Sequence, residues 1–246
     1  MSKDLFSGQA ETYARYRPTY PTDLIEYLLQ LVVQKLVAWD CATGNGQAAL
    51  LLADHFQKVF ATDISSPQLQ LAMPYHNIEY LNCPAEKTLF EDDTFDLITV
   101  AQAYHWFNFE AFEKEARRVG KPGAVIAVWG YNLVTIHNPA VDAIIKRFYT
   151  EIVGPYWDAE RKFVEEAYQT VPFGFSPLPA KDFFIHGQWL REDLIGYLHS
   201  WSSVRHFIRD KNYDPLSLIV DDLALNWKKD ESKQVSFPVF VRIGRV

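Results

Sequence analysis

The sequence predicts an α/β fold built on a doubly wound, mostly parallel β-sheet. Three observations carry this prediction. Short apolar segments between residues 36 and 131 lack regular polar alternation, as expected of strands that are buried on both faces. Segments with helical spacing separate them. A glycine turn, with Gly44 and Gly46, directly follows the first apolar segment, where a parallel strand would pass into a helix.

Six segments have the pattern of strands, and helix signals lie between them. The strand segments are LVAWDCA (36–42), KVFATDIS (58–65), IEYLNC (78–83), FDLITVAQAY (95–104), AVIAVWGY (124–131) and FPVFVRI (237–243). The helical segments are 22–36, 46–56, a Ser-Pro start at 66–73, 109–120, 191–207 and 216–227. Residues 138–180 contain two further helical stretches followed by an aromatic, proline-rich loop.

The chain length favours a single domain. Its 246 residues suit one moderately large domain, and hydrophobic residues make up 48% of them, enough for a substantial core. We expect an N-terminal cap (1–35), a ligand-binding core (36–131), a helical lid insertion (132–180) and C-terminal strands and helices (181–246).

Composition excludes several kinds of partner. The net charge is −7 and no dense Lys or Arg run occurs, so we expect no nucleic-acid partner. No run of eighteen apolar residues occurs, which predicts no membrane span. The two cysteines suit buried thiols, and the histidines lack metal-ligand spacing, so we expect no metal. A cytoplasmic protein follows as the expectation, as a monomer or homodimer.

Two carboxylates around the glycine turn indicate which ligand binds there. Asp63 ends the second strand, 19 residues after Gly44, where an acid can bind both ribose hydroxyls of a nucleoside. Asp40 ends the first strand, and it would repel the pyrophosphate of NAD. Two unit charges about 4 Å apart interact by roughly 4 kcal/mol at an effective dielectric of 20. The cationic, phosphate-free S-adenosylmethionine is therefore favoured.

The chain resembles the class I S-adenosylmethionine-dependent methyltransferases. DCATGNG is similar to the first motif of that family, D-x-G-x-G-x-G. FSGQAETYARYRPTYP, FATDIS, NCPAEKTLFEDDTFDLITVAQAYHWF and RRVGKPGAVIAVW follow in the order of its small-molecule branch, which includes trans-aconitate methyltransferase-like enzymes. The resemblance spans roughly residues 6–129 and implies a Rossmann-like sheet of seven strands, the last one antiparallel.

The sequence and the resemblance together predict a donor site. Ala42 stands where the family usually has its first glycine. Because alanine tolerates a negative φ better than a left-handed turn, we expect a turn with negative φ and retained binding. The predicted donor-binding residues are Tyr13, Arg17, Asp40, Ala42, Gly44, Gly46, Asp63, Ile64, Ala85, Glu86 and Gln102. Of these, the roles of Tyr13, Arg17, Ala85 and Glu86 are implied by the resemblance.

The acceptor side is predicted from aromatic and basic residues. His105 is the candidate catalytic residue, either as a general base or as a group that only orients the acceptor. Tyr20, Trp106, Trp201 and Arg205 are the candidate substrate-binding residues, with Arg205 as the candidate anion ligand. The sequence favours methyl transfer to oxygen or carbon of a small molecule. A non-catalytic donor-binding protein and an NAD-dependent oxidoreductase are the alternatives.

Overall fold

The protein is described by a computed structural model over residues 16–246. In this range eight strands form one sheet in the order β3-β2-β1-β4-β5-β8-β6, and β7 also pairs with β8. The strands are β1 (Val37–Cys41), β2 (Lys58–Asp63), β3 (Ile78–Asn82), β4 (Phe95–Ala101), β5 (Gly120–Tyr131), β6 (Ser176–Leu178), β7 (Phe183–Trp189) and β8 (Lys233–Arg245). The pairs from β3 to β5 are parallel, and β8 is antiparallel to β5.

Helices connect the strands and cover both faces of the sheet. They are α1 (Thr22–Leu31), α2 (Gln47–Ala53), α3 (Ser66–Gln70), α4 (Phe109–Val119), α5 (Pro139–Arg147), α6 (Arg161–Glu165), α7 (Arg191–His199), α8 (Ser202–Lys211) and α9 (Val220–Asn226). Side chains start several of them: Asn108 caps α4 by accepting from Ala111 N at 3.1 Å. No helix among the described residues is long and apolar enough to cross a membrane.

Alternate residues of the central strands enter two separate cores. In β1, Ala38 packs with one cluster, together with α1 and α2, whereas Trp39 packs with the other, together with Phe112 of α4. Leu97 and Ile98 of β4 divide in the same way. The absence of polar alternation in these segments thus has the expected cause, because both faces are buried.

The C-terminal part departs from the sequence prediction in two details. The sheet has eight strands instead of seven, because the short β6 and the longer β7 pair with successive stretches of β8. The predicted helix 191–207 is two helices. Trp201 between them is extended (φ −76°, ψ 139°) and 3% exposed, with its ring 5.3 Å from that of Trp157 and 5.7 Å from that of Tyr197. The extended backbone at Trp201, whose ring is buried, therefore interrupts the predicted helix.

The strand order reverses between β1 and β4. From β1 the chain proceeds to β2 and β3 on one side, then returns to place β4 on the other side of β1. Ligands of open α/β sheets bind beyond the carboxyl ends of strands at such a reversal. The glycine turn after β1 and the segment after β4 lie at this point.

Candidate functional site

A cavity of about 1000 Å³, including its open mouth, lies at the carboxyl ends of β1, β2, β3 and β4. We call it the glycine-loop cavity. Its lining residues are Arg17, Pro18, Tyr20, Ala42, Thr43, Gly44, Asn45, Gln47, Ala48, Asp63, Ile64, Ser65, Gln68, Cys83, Ala85, Ala101, Gln102, Ala103, Trp106, Phe107 and Tyr131. Most of the predicted donor-binding residues are therefore brought together.

The turn after β1 is left-handed at three positions. The φ angles are +54° at Ala42, +59° at Gly44 and +86° at Gly46. The expected negative φ at Ala42 is therefore wrong. The hydrogen bond from Thr43 N to Thr62 O, at 2.8 Å, ties the turn back to β2 at this point. A non-glycine residue in this region costs about 1–3 kcal/mol, so the surrounding contacts must hold Ala42 there.

Asp63 is fixed at the end of β2 by two backbone groups. Its Oδ2 accepts from Gly44 N and its Oδ1 accepts from Ser65 N, both at 2.8 Å. These bonds join the glycine turn to the start of α3 and orient the carboxylate at the cavity. The placement agrees with a carboxylate that receives two neighbouring hydroxyl groups, each oxygen keeping a further lone pair.

Asp40 lies beneath the cavity and does not line it. Its side chain is fully buried, and its carboxylate accepts hydrogen bonds from the hydroxyls of Thr43 and Thr99, the latter at 2.9 Å. Burial raises the pKa of the Asp40 carboxyl to about 6, against the opposing effect of these hydroxyls. The predicted contact of Asp40 with the donor, direct or through water, stays a prediction, and Thr43, which donates to this carboxylate, lines the cavity.

Other predicted donor-site residues divide between the cavity and its surroundings. Ile64 and Ala85 line it, whereas the Glu86 side chain turns away and accepts from Asn108 N at 3.1 Å. Gln102 also lines it, with a φ of +55°. The Gln102 amide oxygen accepts from Tyr131 N at 2.8 Å, which continues the pairing of β4 with β5 beyond the strand end.

Gln68 on α3 is not among the residues that the sequence predicts for the site. It lines the glycine-loop cavity, is 2% exposed, and its Oε1 is buried without a hydrogen-bond partner among the described residues. A Cβ placed on Gly44 would lie 4.0 Å from this oxygen. A glutamine in a Ser-Pro helix start looks like a surface residue in the sequence, so only its burial distinguishes it.

Residues before α1 close one side of the cavity. Arg17 donates to Tyr131 Oη at 2.9 Å and to Ser200 O at 3.2 Å. Tyr20, predicted as a substrate ligand, lines the glycine-loop cavity instead, packed edge-on against Trp129 with ring centroids 5.5 Å apart. The predicted Tyr13 lies outside the described residues.

A second cavity, of about 530 Å³ with its mouth, adjoins the first. We call it the aromatic cavity. Its lining residues are Arg17, Gln102, His105, Trp106, Trp157, Asp158, Arg161, Tyr197, Trp201 and Ser202. Arg17, Gln102 and Trp106 line both cavities, so they form the shared wall.

His105 lines the aromatic cavity as a buried residue, in a 3-10 turn after β4. Its Nδ1 and the hydroxyl of Tyr168 lie 2.8 Å apart. Burial, with a smaller contribution from the charge of Arg161, lowers the pKa of His105 to about 3. The imidazole is therefore neutral near pH 7 and is a weak base, which favours the orienting role over the base role.

The remaining acceptor predictions have mixed outcomes. Trp106 and Trp201 line the aromatic cavity, and their contact with a substrate stays a prediction. Arg205 lies on α8 and lines neither cavity. Arg161 lines the cavity instead. Its position just after the aromatic residues 149–157 was the available signal, but the sequence could not show that α6 packs against the 3-10 turn after β4.

Comparisons with known proteins identify the relatives of this chain. Residues 39–128 match the model of a methyltransferase domain. A Dictyostelium discoideum protein named as a methyltransferase is 32% identical over 98% of this chain and 95% of its own. The solved structure of a type II methyltransferase from Anaeromyxobacter dehalogenans is 36% identical, with a TM-score of 0.86, over 94% of this chain and 98% of its own.

A more distant structure shares the architecture. That of a methyltransferase from Bacillus halodurans is 21% identical, with a TM-score of 0.51, over 92% of this chain and 99% of its own. This similarity concerns the fold alone.

Proposed function

Because the chain belongs to the S-adenosylmethionine-dependent methyltransferases, we propose that it methylates a small molecule held in the aromatic cavity, at oxygen or carbon. The observation that carries this proposal is the shared wall of Arg17, Gln102 and Trp106. A donor in one cavity and an acceptor in the other would meet at this wall.

The residues of the glycine-loop cavity fit the donor. S-Adenosylmethionine supplies an electrophilic methyl group on a sulfonium and brings a ribose, an ammonium and a carboxylate. The left-handed Gly44 lets the backbone approach the ligand closely, and the orphaned oxygen of Gln68 gains a hydrogen-bond donor. The Asp63 carboxylate receives the ribose hydroxyls.

The charged ends of the donor meet two further groups of this chain. The Thr43 hydroxyl donates to Asp40, so its oxygen lone pairs are available to an ammonium at the cavity surface. Arg17 provides the positive charge for the carboxylate. Asp40 thereby contributes negative potential from below the cavity without touching the ligand.

In the proposed reaction the chain positions and desolvates the reactants. In-line displacement requires nucleophile, carbon and sulfur to be aligned, and the aromatic rings that line the second cavity exclude water from this alignment. His105 orients the acceptor as a neutral group. An acceptor that is already anionic needs no base, whereas a hydroxyl or carbon acceptor passes its proton to water or to a second group on the substrate.

A labelling experiment tests this function. The enzyme is incubated with a metabolite extract and a donor carrying an isotope-labelled methyl group, and products are separated by mass. We expect a labelled compound of small-molecule size, absent with Asp63→Ala, which loses the ribose ligand. The exposed Asp54→Asn variant is the matched control. Label found only on protein or nucleic acid would refute the small-molecule acceptor.

A further inference from the structure

Arg161 lines the aromatic cavity, and only the Nε of its guanidinium donates a hydrogen bond to another described residue. Its Nε donates to Tyr149 Oη at 2.8 Å, and its guanidinium carbon lies 4.8 Å from the ring centroid of Trp157 and 5.4 Å from that of Tyr149. These contacts fix the plane of the guanidinium. Nη1 and Nη2 have no hydrogen-bond or ion-pair partner among residues 16–246, although the residue lines the cavity.

Arg161 has no ion-pair partner among the groups that line the aromatic cavity, and the nearby Glu165 accepts from the Tyr149 hydroxyl. The cavity is lined by two arginines, Arg17 and Arg161, and by one carboxylate, Asp158. His105 adds no charge near pH 7, since burial lowers its pKa to about 3. Asp158 accepts from Ser202 Oγ at 3.2 Å and does not pair with Arg161. Since Arg17 is assigned to the donor carboxylate, Arg161 is the cation that remains for an acceptor anion, and Asp158 would repel a second negative charge.

Resting on the proposed function, we infer that the acceptor carries a carboxylate, which Arg161 binds through its two terminal amino groups as an anchor. The guanidinium plane and its paired N–H groups match a carboxylate in the bidentate arrangement. Stacking on Trp157 preorganises the guanidinium, so little side-chain entropy is lost when the anion binds.

The anchored carboxylate is a different group from the one that is methylated. Arg161 lines only the aromatic cavity, whereas the methyl group arrives at the wall formed by Arg17, Gln102 and Trp106. A carboxylate that donates two lone pairs to a guanidinium is also a poorer nucleophile. The acceptor is thus bifunctional, with its anion at Arg161 and its nucleophile at the shared wall.

Matched neutral and anionic probes test this inference. The probes are the three hydroxybenzoates and the three corresponding hydroxybenzamides, which differ in charge and hardly in shape. Binding to the enzyme saturated with S-adenosylhomocysteine is measured by ligand-observed NMR. We expect at least one acid to bind about tenfold more tightly than its amide, a difference of about 1.4 kcal/mol.

Three variants test whether the Arg161 guanidinium causes the preference for the acid over the amide. Arg161→Gln should abolish the preference for the acid, and Arg161→Lys should keep part of it, since the charge remains while the paired geometry is lost. Arg147→Gln removes an exposed arginine paired with Asp222 and should change nothing. Thermal melting of each variant checks folding, and affinity for S-adenosylhomocysteine should be unchanged, because Arg161 does not line the glycine-loop cavity.

The outcomes separate this inference from the proposed function. Equal binding of acids and amides, or no binding of either, would refute the anchor, as would an acid preference that survives in Arg161→Gln. Where a hydroxybenzoate is methylated, an ether supports the anchor and a methyl ester refutes it. Failure of the wild-type enzyme to bind S-adenosylhomocysteine would instead refute the donor site on which the proposed function depends.

Discussion

The two cavities of this protein are built in different ways. The glycine-loop cavity is formed mainly by residues at or after the ends of four parallel strands, and the backbone geometry of the turn at Ala42, Gly44 and Gly46 shapes it. The aromatic cavity is assembled from side chains on segments spread between residues 17 and 202. The first is a property of one local motif and the sheet, whereas the second depends on how distant segments pack. This difference predicts where substitutions are most damaging.

The largest effect is expected at the glycine turn. A Cβ on Gly46 would lie 2.6 Å from Tyr80 Oη, and the φ there is +86°. Gly46→Ala should weaken donor binding at least about 100-fold and lower the free energy of unfolding by about 2–4 kcal/mol, through backbone strain and the clash. Calorimetry with S-adenosylhomocysteine and urea unfolding measure the two effects.

A second left-handed glycine separates the effect of backbone strain from that of the steric clash with Tyr80. Gly123 has a φ of +81°, with nothing within 4 Å of its Cβ position, so Gly123→Ala carries only the strain of about 1 kcal/mol. Tyr80→Phe removes the atom nearest to the Gly46 position and should partly rescue Gly46→Ala. Equal destabilisation at both glycines would show that the close approach of Tyr80 is unimportant.

An intermediate effect is expected at Asp40, where pH discriminates its role. Burial raises the pKa of this carboxyl to about 6, so the carboxylate loses its charge as the pH falls through that value. Affinity for the cationic donor should therefore fall between pH 7.5 and pH 5 in the wild type. Asp40→Asn should bind about tenfold more weakly at pH 7.5, with a flatter pH profile. Titration calorimetry at several pH values measures this, with Asp54→Asn as the control.

The free energy of unfolding should change with pH in the opposite direction to donor affinity, because the same Asp40 carboxyl titrates. Since its pKa is higher in the folded state, the protonated carboxyl adds stability that is fully present below about pH 4 and is lost as the pH rises through 6. Asp40→Asn should therefore be more stable relative to the wild type at pH 8 than at pH 5. A constant difference between the two proteins would indicate that the carboxyl does not titrate in this range.

A smaller effect is expected at Gln68. Its buried oxygen has no hydrogen-bond partner among residues 16–246, so Gln68→Leu should weaken binding of S-adenosylhomocysteine about fivefold while leaving the free protein equally or more stable. The exposed Gln70→Leu on the same helix is the control, measured by the same calorimetry and urea unfolding. Reduced stability together with unchanged affinity would assign Gln68 to the fold alone.

The smallest effect is expected at His105. With its pKa lowered to about 3, this histidine stays neutral from pH 6 to pH 8 and cannot produce a break in the rate over that range. His105→Gln should reduce kcat only a few-fold, with the same pH profile, because glutamine keeps a neutral hydrogen-bonding group. Steady-state rates with the acceptor that the labelling experiment identifies provide the check. A break near pH 6.5 that disappears in the variant would restore the role of general base.

The sequence by itself determined the sheet, the glycine turn and the donor. Strands buried on both faces leave a periodic signal, and the spacing from Gly44 to Asp63 is local enough to be found along the chain. Tertiary structure decided that Ala42 is left-handed, that Asp40 is buried and bonded to Thr43, and that Arg161 lines the aromatic cavity while Arg205 does not. These outcomes depend on the hydrogen bond from the turn to β2 and on the packing of α6 against the 3-10 turn after β4. Packing between distant segments leaves no periodic trace in the sequence, whereas strand burial and turn chemistry do.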